Sequence, residues 1–547
     1  QTPLPCNRGS PPTPRNVGGD LSGYTPLSFR RTAAARYGGY IPFLLSAAGA
    51  NLRQIAPEYA IYRTFRQESA RRCAVFLAIP AKKCYTELSV YLYFPPKEVN
   101  ANMTIKERFE NRVRRGRGGV DLPHRRYTAG AETVDMPPAP HLIFPMNQHI
   151  GAPCVPTVAA GDTVAVGQVI GDSDQFVSAP IHSSVSGTVT AIGTLLMPNG
   201  TVSQTVEIDS DGEQRHDPSL APPKADTFEE FIRAVRQSGL VGLGGAGFPT
   251  HIKLAPKNRD EIDTILINAA ECEPYVTSDY RECLENSWDI VSGLQTVMEF
   301  LEARRVLIAI ERDRTKAVTE MSHIAAGVTS PGREVRVVPL RTRYPQGAEK
   351  MLIYSCTGRK LAPGQLPADA GCIVLNVASV ATIARYLKTG MPLVEKRITV
   401  DGSAIAHPKN VRVAIGTPIA DLIAFTGGTR ETPVRLINGG PMMGTTLPND
   451  RFPILKASKA VIALGEADCA SHPAGSCLRC GRCVYNCPMG LMPTALEEAY
   501  RRGDIPQLLK LNVQSCMDCG CCTYSCPAYR PLAETIRLAK AAARKPR

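Results

Sequence analysis

Two cysteine repeats near the end of the chain constrain its fold more than any other feature. Each repeat has the spacing C-x2-C-x2-C-x3-C-P, and the second begins 39 residues after the first. This spacing is typical of bacterial proteins with two [4Fe–4S] clusters, in which the fourth cysteine of each repeat ligates the other cluster. We therefore expect cluster 1 to be bound by Cys477, Cys480, Cys483 and Cys526, and cluster 2 by Cys516, Cys519, Cys522 and Cys487.

Other uses of cysteine explain this pattern less well. Zinc sites use two CxxC pairs, which would leave the third cysteine and the trailing proline of each repeat without a purpose. Haem c attachment is excluded because no histidine follows a CxxC pair. The chain has eighteen cysteines, but its beginning lacks the basic, apolar and small-residue regions of a signal peptide. We therefore expect a reducing compartment rather than a set of disulfides.

Composition excludes several classes of protein. Hydrophobic residues make up 44% of the 547 residues, enough to form several buried cores. No apolar run reaches the roughly 18 residues of a membrane span, so we expect none. One tryptophan and 6% aromatic residues argue against a single-strand nucleic-acid binder. The net charge of +13 is concentrated in residues 1–102, with 13 basic and 5 acidic residues, so we predict no nucleic-acid partner.

Residues 1–102 are an N-terminal extension that we do not expect to be part of the natural protein. The chain begins with Gln1, and all thirteen methionines lie from Met103 onward. The first part of this segment is rich in Pro, Gly and Ser and has no clear period. The interpretation we favour places the natural start near Met103, and the alternative is a poorly structured extension.

Residues 103–215 are expected to form a small β domain. The stretch from Ile150 to Ile208 has short Val- and Ile-rich runs separated by Gly-Asp turns. This resembles the barrel-sandwich shape of lipoyl and biotinyl carrier domains. Those domains carry a cofactor on a lysine, but no lysine occurs here between Lys106 and Lys224. We therefore expect a docking role, with His149 and His182 as structural residues.

Residues 225–385 are expected to form an α/β domain with a glycine-rich loop. A helical pattern precedes five glycines between Gly239 and Gly247, and Lys253 follows. Such a loop lets backbone N–H groups approach an anion closely, and a lysine adds a point charge for a phosphate. The apolar runs around residues 263–269 and 372–376 end in polar side chains. Because open α/β sheets bind ligands at the carboxyl ends of their strands, we expect a site there.

The motifs "GLGGAGFPTHIK", "INAAECEPY", "RYPQGAEK", "SAPIHSSVSGTV" and "INGGPMMG" resemble the C subunit of the Rnf electron-transport complex. They are more distantly similar to the flavin and NADH subunit of respiratory complex I. The resemblance runs from about Gly118 to near residue 540. It implies a Rossmann-like FMN and NADH domain, a β-grasp (SLBB) connector over 390–465 and an α-helical two-cluster ferredoxin domain over 466–547. The fold class is thus a multidomain α/β protein.

The resemblance also implies which residues bind each cofactor. FMN would be held by Gly242, Gly244, Gly245, Gly247, Lys253, Asn268, Glu271, Gly347, Asn376 and Ser379. NAD(H) would be faced by Phe248, Glu273, Tyr344 and Glu349, of which Phe248, Glu273 and Glu349 would act in catalysis. Leu243, Ala270 and Ala348 depart from the complex I pattern, which has a basic residue, Asp and Glu there. Cys272 is expected to be a buried structural thiol.

The function implied is electron transfer in an ion-translocating ferredoxin:NAD+ oxidoreductase. A flavin is needed because NAD(H) exchanges two electrons together and a [4Fe–4S] cluster exchanges one. Expected partners are the other Rnf subunits, NAD(H) and, indirectly, ferredoxin, with the chain peripheral on the cytoplasmic side of the bacterial inner membrane. Two alternatives stay open: a microcompartment-type cobalamin reductase, and a non-enzymatic iron–sulfur adaptor that has lost nucleotide binding.

Overall fold

The computed structural model describes residues 113–329, 331–469 and 472–544. The expectations for residues 1–102 therefore lie outside the described residues. Four modules follow one another along the described chain, in the order that the sequence predicts. The expected fold class, a multidomain α/β protein, is confirmed.

The first module is a small β domain made of two antiparallel sheets. Their strand orders are β2-β8-β7-β4 and β3-β5-β6. Inward and outward residues alternate along β7, so that Val189 is buried and Thr188 and Thr190 are exposed. Phe144, Ile170 and Ile208 fill the core between the sheets. Its strands are β2 (His141–Pro145), β3 (Val155–Pro156), β4 (Thr163–Val164), β5 (Val169–Asp172), β6 (Ile181–His182), β7 (Gly187–Leu196) and β8 (Val202–Ser210). The preceding strand β1 (Val134–Asp135) belongs to another sheet.

The second module is an α/β domain around a parallel sheet of order β11-β10-β9-β12. Its first helix begins with a capping box, in which the Thr227 side chain accepts from the N–H of Glu230 and the Glu230 carboxylate accepts from the N–H of Thr227. The strands are β9 (Thr264–Ala269), β10 (Arg305–Glu311), β11 (Glu334–Leu340) and β12 (Cys372–Asn376). The helices are α1 (Phe228–Gln237), α2 (Thr250–Leu254), α3 (Ser278–Glu285), α4 (Ser287–Phe300), α5 (Thr315–Val328), α6 (Glu349–Thr357) and α7 (Val377–Thr389).

The third module is a mixed sheet of order β1-β14-β13-β17-β15-β16. Its edge strand, β1, comes from the segment before the β domain and pairs in parallel with β14. The chain therefore contributes one strand to this module before it forms the β domain. The remaining elements are β13 (Glu395–Asp401), β14 (Lys409–Ala414), α8 (Ile419–Phe425), β15 (Arg435–Asn438), β16 (Thr445–Thr446) and β17 (Ala460–Leu464).

The fourth module is helical and has an internal repeat. Each cysteine run enters a short helix through a left-handed glycine, Gly481 (φ 72°) or Gly520 (φ 73°). Leu496, Leu508 and Ile536 form the core between the longer helices. The helices are α9 (Arg482–Tyr485), α10 (Pro493–Arg501), α11 (Ile505–Lys510), α12 (Cys521–Tyr524) and α13 (Leu532–Ala542). Among the described helices, none has the length and apolar character to cross a membrane.

Candidate functional site

Four cysteines from both repeats line one cavity at the surface of the helical module. They are Cys477, Cys480 and Cys483 of the first repeat and Cys526 of the second, and the cavity has a volume of about 200 Å³. Cys477 and Cys480 are exposed, and Cys483 is buried. The structure therefore brings together the four residues predicted for cluster 1, including the cysteine that comes from the other repeat.

A second cavity, deeper in the molecule, contains the complementary set. Cys487 of the first repeat joins Cys516, Cys519 and Cys522 of the second around a smaller space of about 20 Å³. Cys521 lines the same cavity, so the choice of Cys522 over Cys521 stays a prediction from the spacing. The fourth cysteine of each repeat thus lies with the three cysteines of the other.

The cysteine sets suit a cluster better than a single ion. In the described residues, no three His, Cys, Asp or Glu side chains lie close enough together to share one metal ion. A cubane places its own iron and sulfide between the ligands, so it needs thiolates that surround a space. Burial raises the pKa of the Cys516 thiol to about 12, so cluster binding must displace its proton.

The glycine-rich loop lies at the carboxyl end of the parallel sheet. The Gly242 N–H donates to the Phe248 carbonyl at 2.8 Å, and this bond closes the loop. A Cβ added at Gly244 would meet the Asn376 side chain at 3.5 Å, and one added at Gly245 (φ 110°) would point into open space. The exposed backbone at the top of the loop therefore leaves room for a ligand above the sheet, as a phosphate cradle requires.

Two asparagines lie near the carboxyl ends of neighbouring strands beside this loop. Asn268 is the penultimate residue of β9 and pairs with Asn376, the last residue of β12. The Asn268 Nδ2 donates to the Gly347 carbonyl at 2.9 Å. The buried Ser379 hydroxyl accepts from the Leu243 N–H at 3.0 Å, which fixes the loop against helix α7. The loop, both strand ends and Gly347 are thus gathered at one edge of the sheet.

Lys253 and Glu349 form an ion pair across this edge. The Lys253 Nζ lies 2.8 Å from the Glu349 Oε1, and the two side chains are 30% and 39% exposed. The sequence predicts Lys253 for the FMN phosphate and Glu349 for the nicotinamide nucleotide. The structure places the two predicted sites side by side, and both side chains are open enough to reach a ligand.

The Glu271 carboxylate, predicted to contact the flavin, lies at the start of helix α3. It accepts from the N–H groups of Asp279 at 2.8 Å and Tyr280 at 3.2 Å, and the Ser278 hydroxyl donates to it at 3.2 Å. Lys459 lies 3.7 Å away. These contacts make Glu271 a helix cap, and its contact with the flavin stays a prediction.

Glu273, predicted to face the nucleotide, follows β9 in the second module and contacts a turn of the third module. Its carboxylate accepts from the backbone N–H groups of Met442 at 3.0 Å and Met443 at 2.9 Å. A Cβ added at Gly440 would lie 2.4 Å from the Glu273 carboxylate, so only glycine allows this approach. Burial nevertheless raises the pKa of Glu273 to about 7.

Tyr344, also predicted to face the nucleotide, contacts the deeper cysteine loop. Its hydroxyl donates to the Cys519 carbonyl at 2.8 Å. Val120, Leu122 and Cys521 pack around it in one apolar cluster. Nearby, the Gly347 N–H donates to the Cys272 Sγ at 3.4 Å, and Cys272 is partly exposed rather than fully buried as the sequence predicts. The loop over residues 341–348 is therefore in direct contact with the second cysteine loop, over residues 516–522. We call the first of these the flavin-side loop, because it carries Gly347.

Four family models match the chain in succession. They are the RnfC barrel sandwich hybrid domain over residues 115–213, the Nuo51 FMN-binding domain over 235–385, the SLBB domain over 397–446 and the 4Fe-4S dicluster domain over 476–529. The chain is 43% identical to a relative from Clostridium ljungdahlii, the C subunit of a proton-translocating ferredoxin:NAD(+) oxidoreductase complex, over 70% of this chain and 83% of that protein.

This chain belongs to the RnfC family. It is also 39% identical to the C subunit of the Na(+)-translocating ferredoxin:NAD(+) oxidoreductase complex of Acetobacterium woodii, over 78% of this chain and 96% of that protein. It has the same identity to the C subunit of the ion-translocating oxidoreductase complex of Rhodobacter capsulatus, over 78% of this chain and 82% of that protein. The predicted family is confirmed, as are an FMN-binding domain and a two-cluster domain.

Some residues around the site of this RnfC-family chain were missed by sequence reasoning. The turn at Met442 and Met443 supplies backbone N–H groups to Glu273, a role that the motif alone did not indicate. The Gly-Gly-Pro run before it was a usable signal, because paired glycines mark a close approach of backbone. Arg126 is a second case, since it forms ion pairs with the buried Glu311 at the end of β10 and, at 2.8 Å, with Asp313 just after that strand.

Proposed function

We propose that this chain is the electron-transfer subunit of an ion-translocating ferredoxin:NAD+ oxidoreductase complex. It would exchange hydride between NAD(H) and FMN and pass single electrons through two [4Fe–4S] clusters. The contact between Tyr344 and Cys519 carries the proposal, because it joins the flavin-side loop to a cluster-binding loop within one chain. An electron-transfer chain needs such a junction, since the flavin supplies the step between two-electron and one-electron chemistry.

The site residues have distinct tasks in this proposal. The loop from Gly242 to Gly247 and the Lys253 ammonium would hold the FMN phosphate, and the strand-end amides of Asn268 and Asn376 would orient the ring. Glu349 lies beside Lys253 and would bind the nicotinamide nucleotide. The apolar side chains around Tyr344 exclude water from the junction with the second cysteine loop.

The two cysteine cavities differ in position. Cys519 lies beside Tyr344, whereas Cys477 and Cys480 are exposed at the surface. The proposed order is therefore flavin site, cluster 2, cluster 1 and then a partner. The other subunits of the complex are the proposed partners, and the chain would be peripheral to the membrane on the cytoplasmic face.

An anaerobic titration tests this function. The chain is reconstituted with iron, sulfide and FMN and titrated with NADH, and its visible and EPR spectra are recorded. Flavin bleaching with a reduced-cluster EPR signal supports the proposal. Clusters that respond to dithionite but not to NADH would instead support the adaptor. The hydrogen bonds that hold Glu273 to the Met442–Met443 turn, and the residues Leu243, Ala270 and Ala348, favour that alternative.

A further inference from the structure

A largely buried ion pair joins the third module to the flavin side of the α/β domain. The Lys459 ammonium is paired with the Asp279 carboxylate and lies 3.7 Å from the Glu271 Oε1. The Lys459 side chain is 17% exposed, and those of Asp279 and Glu271 are 5% and 2% exposed. Lys459 directly precedes β17, whereas Glu271 follows β9 and Asp279 lies in α3. One cation of the third module is therefore held by two carboxylates of the second.

Asp279 connects this ion pair to the end of strand β12. Its Oδ2 accepts from the Asn376 Nδ2 at 2.7 Å, and the Asn376 Oδ1 accepts from the Ala378 N–H at 3.0 Å. Asp279 and the first turn of α7 thus fix the orientation of the Asn376 amide together. The same side chain lies 3.5 Å from the position of a Cβ on Gly244. A continuous series of contacts therefore runs from Lys459 to the glycine-rich loop.

The charge of Lys459 acts on its neighbours because the surroundings are shielded from water. Burial lowers the pKa of Lys459, but attraction to Asp279 and Glu271 outweighs this effect and raises the pKa to about 12. The ammonium therefore stays charged at neutral pH. Burial raises the pKa of Glu273 to about 7, and the Lys459 charge acts in the opposite direction. Charges interact more strongly in such surroundings than in water, and salt screens them less.

Lys253, the other lysine of the candidate site, occupies a different position. It follows the glycine-rich loop, pairs with Glu349 and is predicted for the FMN phosphate. Lys459 instead acts at Asn376, whose amide would orient the flavin ring. Reduction adds charge to the ring and leaves the phosphate unchanged. A cation on the ring side therefore changes the reduction potential of the flavin, whereas a cation at the phosphate changes its affinity.

We propose that Lys459 is a positioning residue that raises the reduction potential of the bound flavin. The inference rests on the proposed function and assigns part of the flavin site to the third module. Uptake of two electrons and one proton from the reductant leaves one negative charge on the flavin ring. The Lys459 ammonium stabilises this charge, and the Asp279 carboxylate opposes it. Through Asp279 the pair also keeps the Asn376 amide in place.

The test measures the flavin potential in a cycle of charge-removing substitutions. Lys459→Met, Asp279→Asn, the double variant and the unsubstituted full-length chain are each reconstituted with iron, sulfide and FMN. Lys388→Met is the matched control, because Lys388 is exposed about 18 Å along α7 from Asn376. Each protein is titrated anaerobically with dithionite in the presence of redox dyes. The flavin signal is the visible spectrum after subtraction of the same protein without FMN.

We expect Lys459→Met to lower the flavin potential by at least about 30 mV, which is a tenfold change in the equilibrium constant of a two-electron reduction. Asp279→Asn should raise the potential, and the double variant should lie between the two single variants. Lys388→Met should leave it unchanged. A purely structural role predicts weaker FMN binding in both single variants without these opposite shifts. Equal potentials in Lys459→Met and the unsubstituted chain, or shifts of the same sign in both single variants, would overturn the proposal.

FMN affinity, iron content and the thermal midpoint are measured on the same samples as checks of folding. If Lys459→Met does not retain FMN, Asp279→Asn decides, and a potential that does not rise would overturn the proposal. Failure of the proposed function gives a different result, because a flavin that does not react with NADH can still be titrated with dithionite. Unchanged potentials in a chain that passes electrons from NADH to its clusters would remove only the role of Lys459.

Discussion

The Tyr344 hydroxyl donates a 2.8 Å hydrogen bond to the carbonyl of Cys519, 175 residues away in sequence. One end of this bond belongs to the flavin-side loop and the other to a cluster-binding loop. Tyr344 is 2% exposed, so the bond is made where water cannot replace it. Because the two loops meet through defined atoms, a change at Tyr344 should affect both modules.

Tyr344→Phe removes the hydroxyl and keeps the ring. We expect a loss of about 1 kcal/mol in the docking of the two modules, because a buried carbonyl loses a donor. The measurement is the thermal midpoint of the holoprotein, with cluster content followed by visible absorbance. Tyr485→Phe is the control, since Tyr485 is 74% exposed. If both substitutions lowered the thermal midpoint equally, the hydrogen bond to Cys519 would not stabilise the contact between the two modules.

Exchange of ligands between the repeats leads to a second prediction. Cys526→Ser should damage the exposed cluster 1 and Cys487→Ser the deeper cluster 2, because each cysteine lines the cavity of the other repeat. EPR spectra are compared with those of Cys480→Ser and Cys519→Ser. Cys480 is a ligand of cluster 1 and Cys519 a ligand of cluster 2 whether or not the repeats exchange their fourth cysteines. If Cys487→Ser gave the spectrum of Cys480→Ser, each repeat would bind its own cluster.

Lys253→Met should weaken FMN binding. A charged hydrogen bond to phosphate contributes roughly 1.5–3 kcal/mol, so the dissociation constant should rise about tenfold to a hundredfold. Fluorescence titration of the FMN-depleted protein measures it directly. Lys350→Met removes a neighbouring lysine that lies on the same helix as Glu349 and serves as the control. Equal FMN affinity in Lys253→Met and Lys350→Met would remove Lys253 from the phosphate site.

Glu273 should make stability depend on pH. Burial raises its pKa from 4.5 to about 7, so the folded chain binds more protons than the unfolded chain between these values. The contribution of this group is therefore full at low pH and is lost as the pH rises through about 7. The thermal midpoint of Glu273→Gln minus that of the unsubstituted chain should increase from about pH 5 to about pH 8.

A matched substitution separates Glu273 from other titrating groups. Glu302 is exposed, and Glu302→Gln is the control substitution measured over the same pH range. Burial also raises the pKa values of Glu311 and Asp401 to about 7. Their effect on the thermal midpoint is the same in every variant, so it cancels when the midpoint of the unsubstituted chain is subtracted. A flat difference for Glu273→Gln would mean that its carboxylate is stably ionised in the folded chain.

The sequence was most informative where function depends on spacing along the chain. The cysteine intervals predicted which eight residues group together, and the cavities contain those groups. The strand that contains Asn268 could be predicted because a parallel sheet covered on both faces needs a continuous apolar strand. These features are local, so pattern and propensity determine them.

Contacts between modules could not be predicted in the same way. Glu273 and Met442 are 169 residues apart, and the sequence gives no measure of how two modules are oriented. Tyr344 and Glu273 were assigned to the nucleotide by motif, whereas the structure shows them against a cluster loop and a backbone turn. A motif specifies residue types, but the neighbours of a side chain depend on packing between domains.

The order of the two clusters is the claim most directly open to measurement. Cys480→Ser and Cys519→Ser holoproteins, each with FMN and the remaining cluster, are mixed with NADH and frozen for EPR at increasing times. We predict that cluster 2 is reduced in Cys480→Ser at the rate seen in the unsubstituted chain, whereas cluster 1 in Cys519→Ser stays oxidised although dithionite reduces it. Rapid reduction of cluster 1 by NADH in Cys519→Ser would contradict the account.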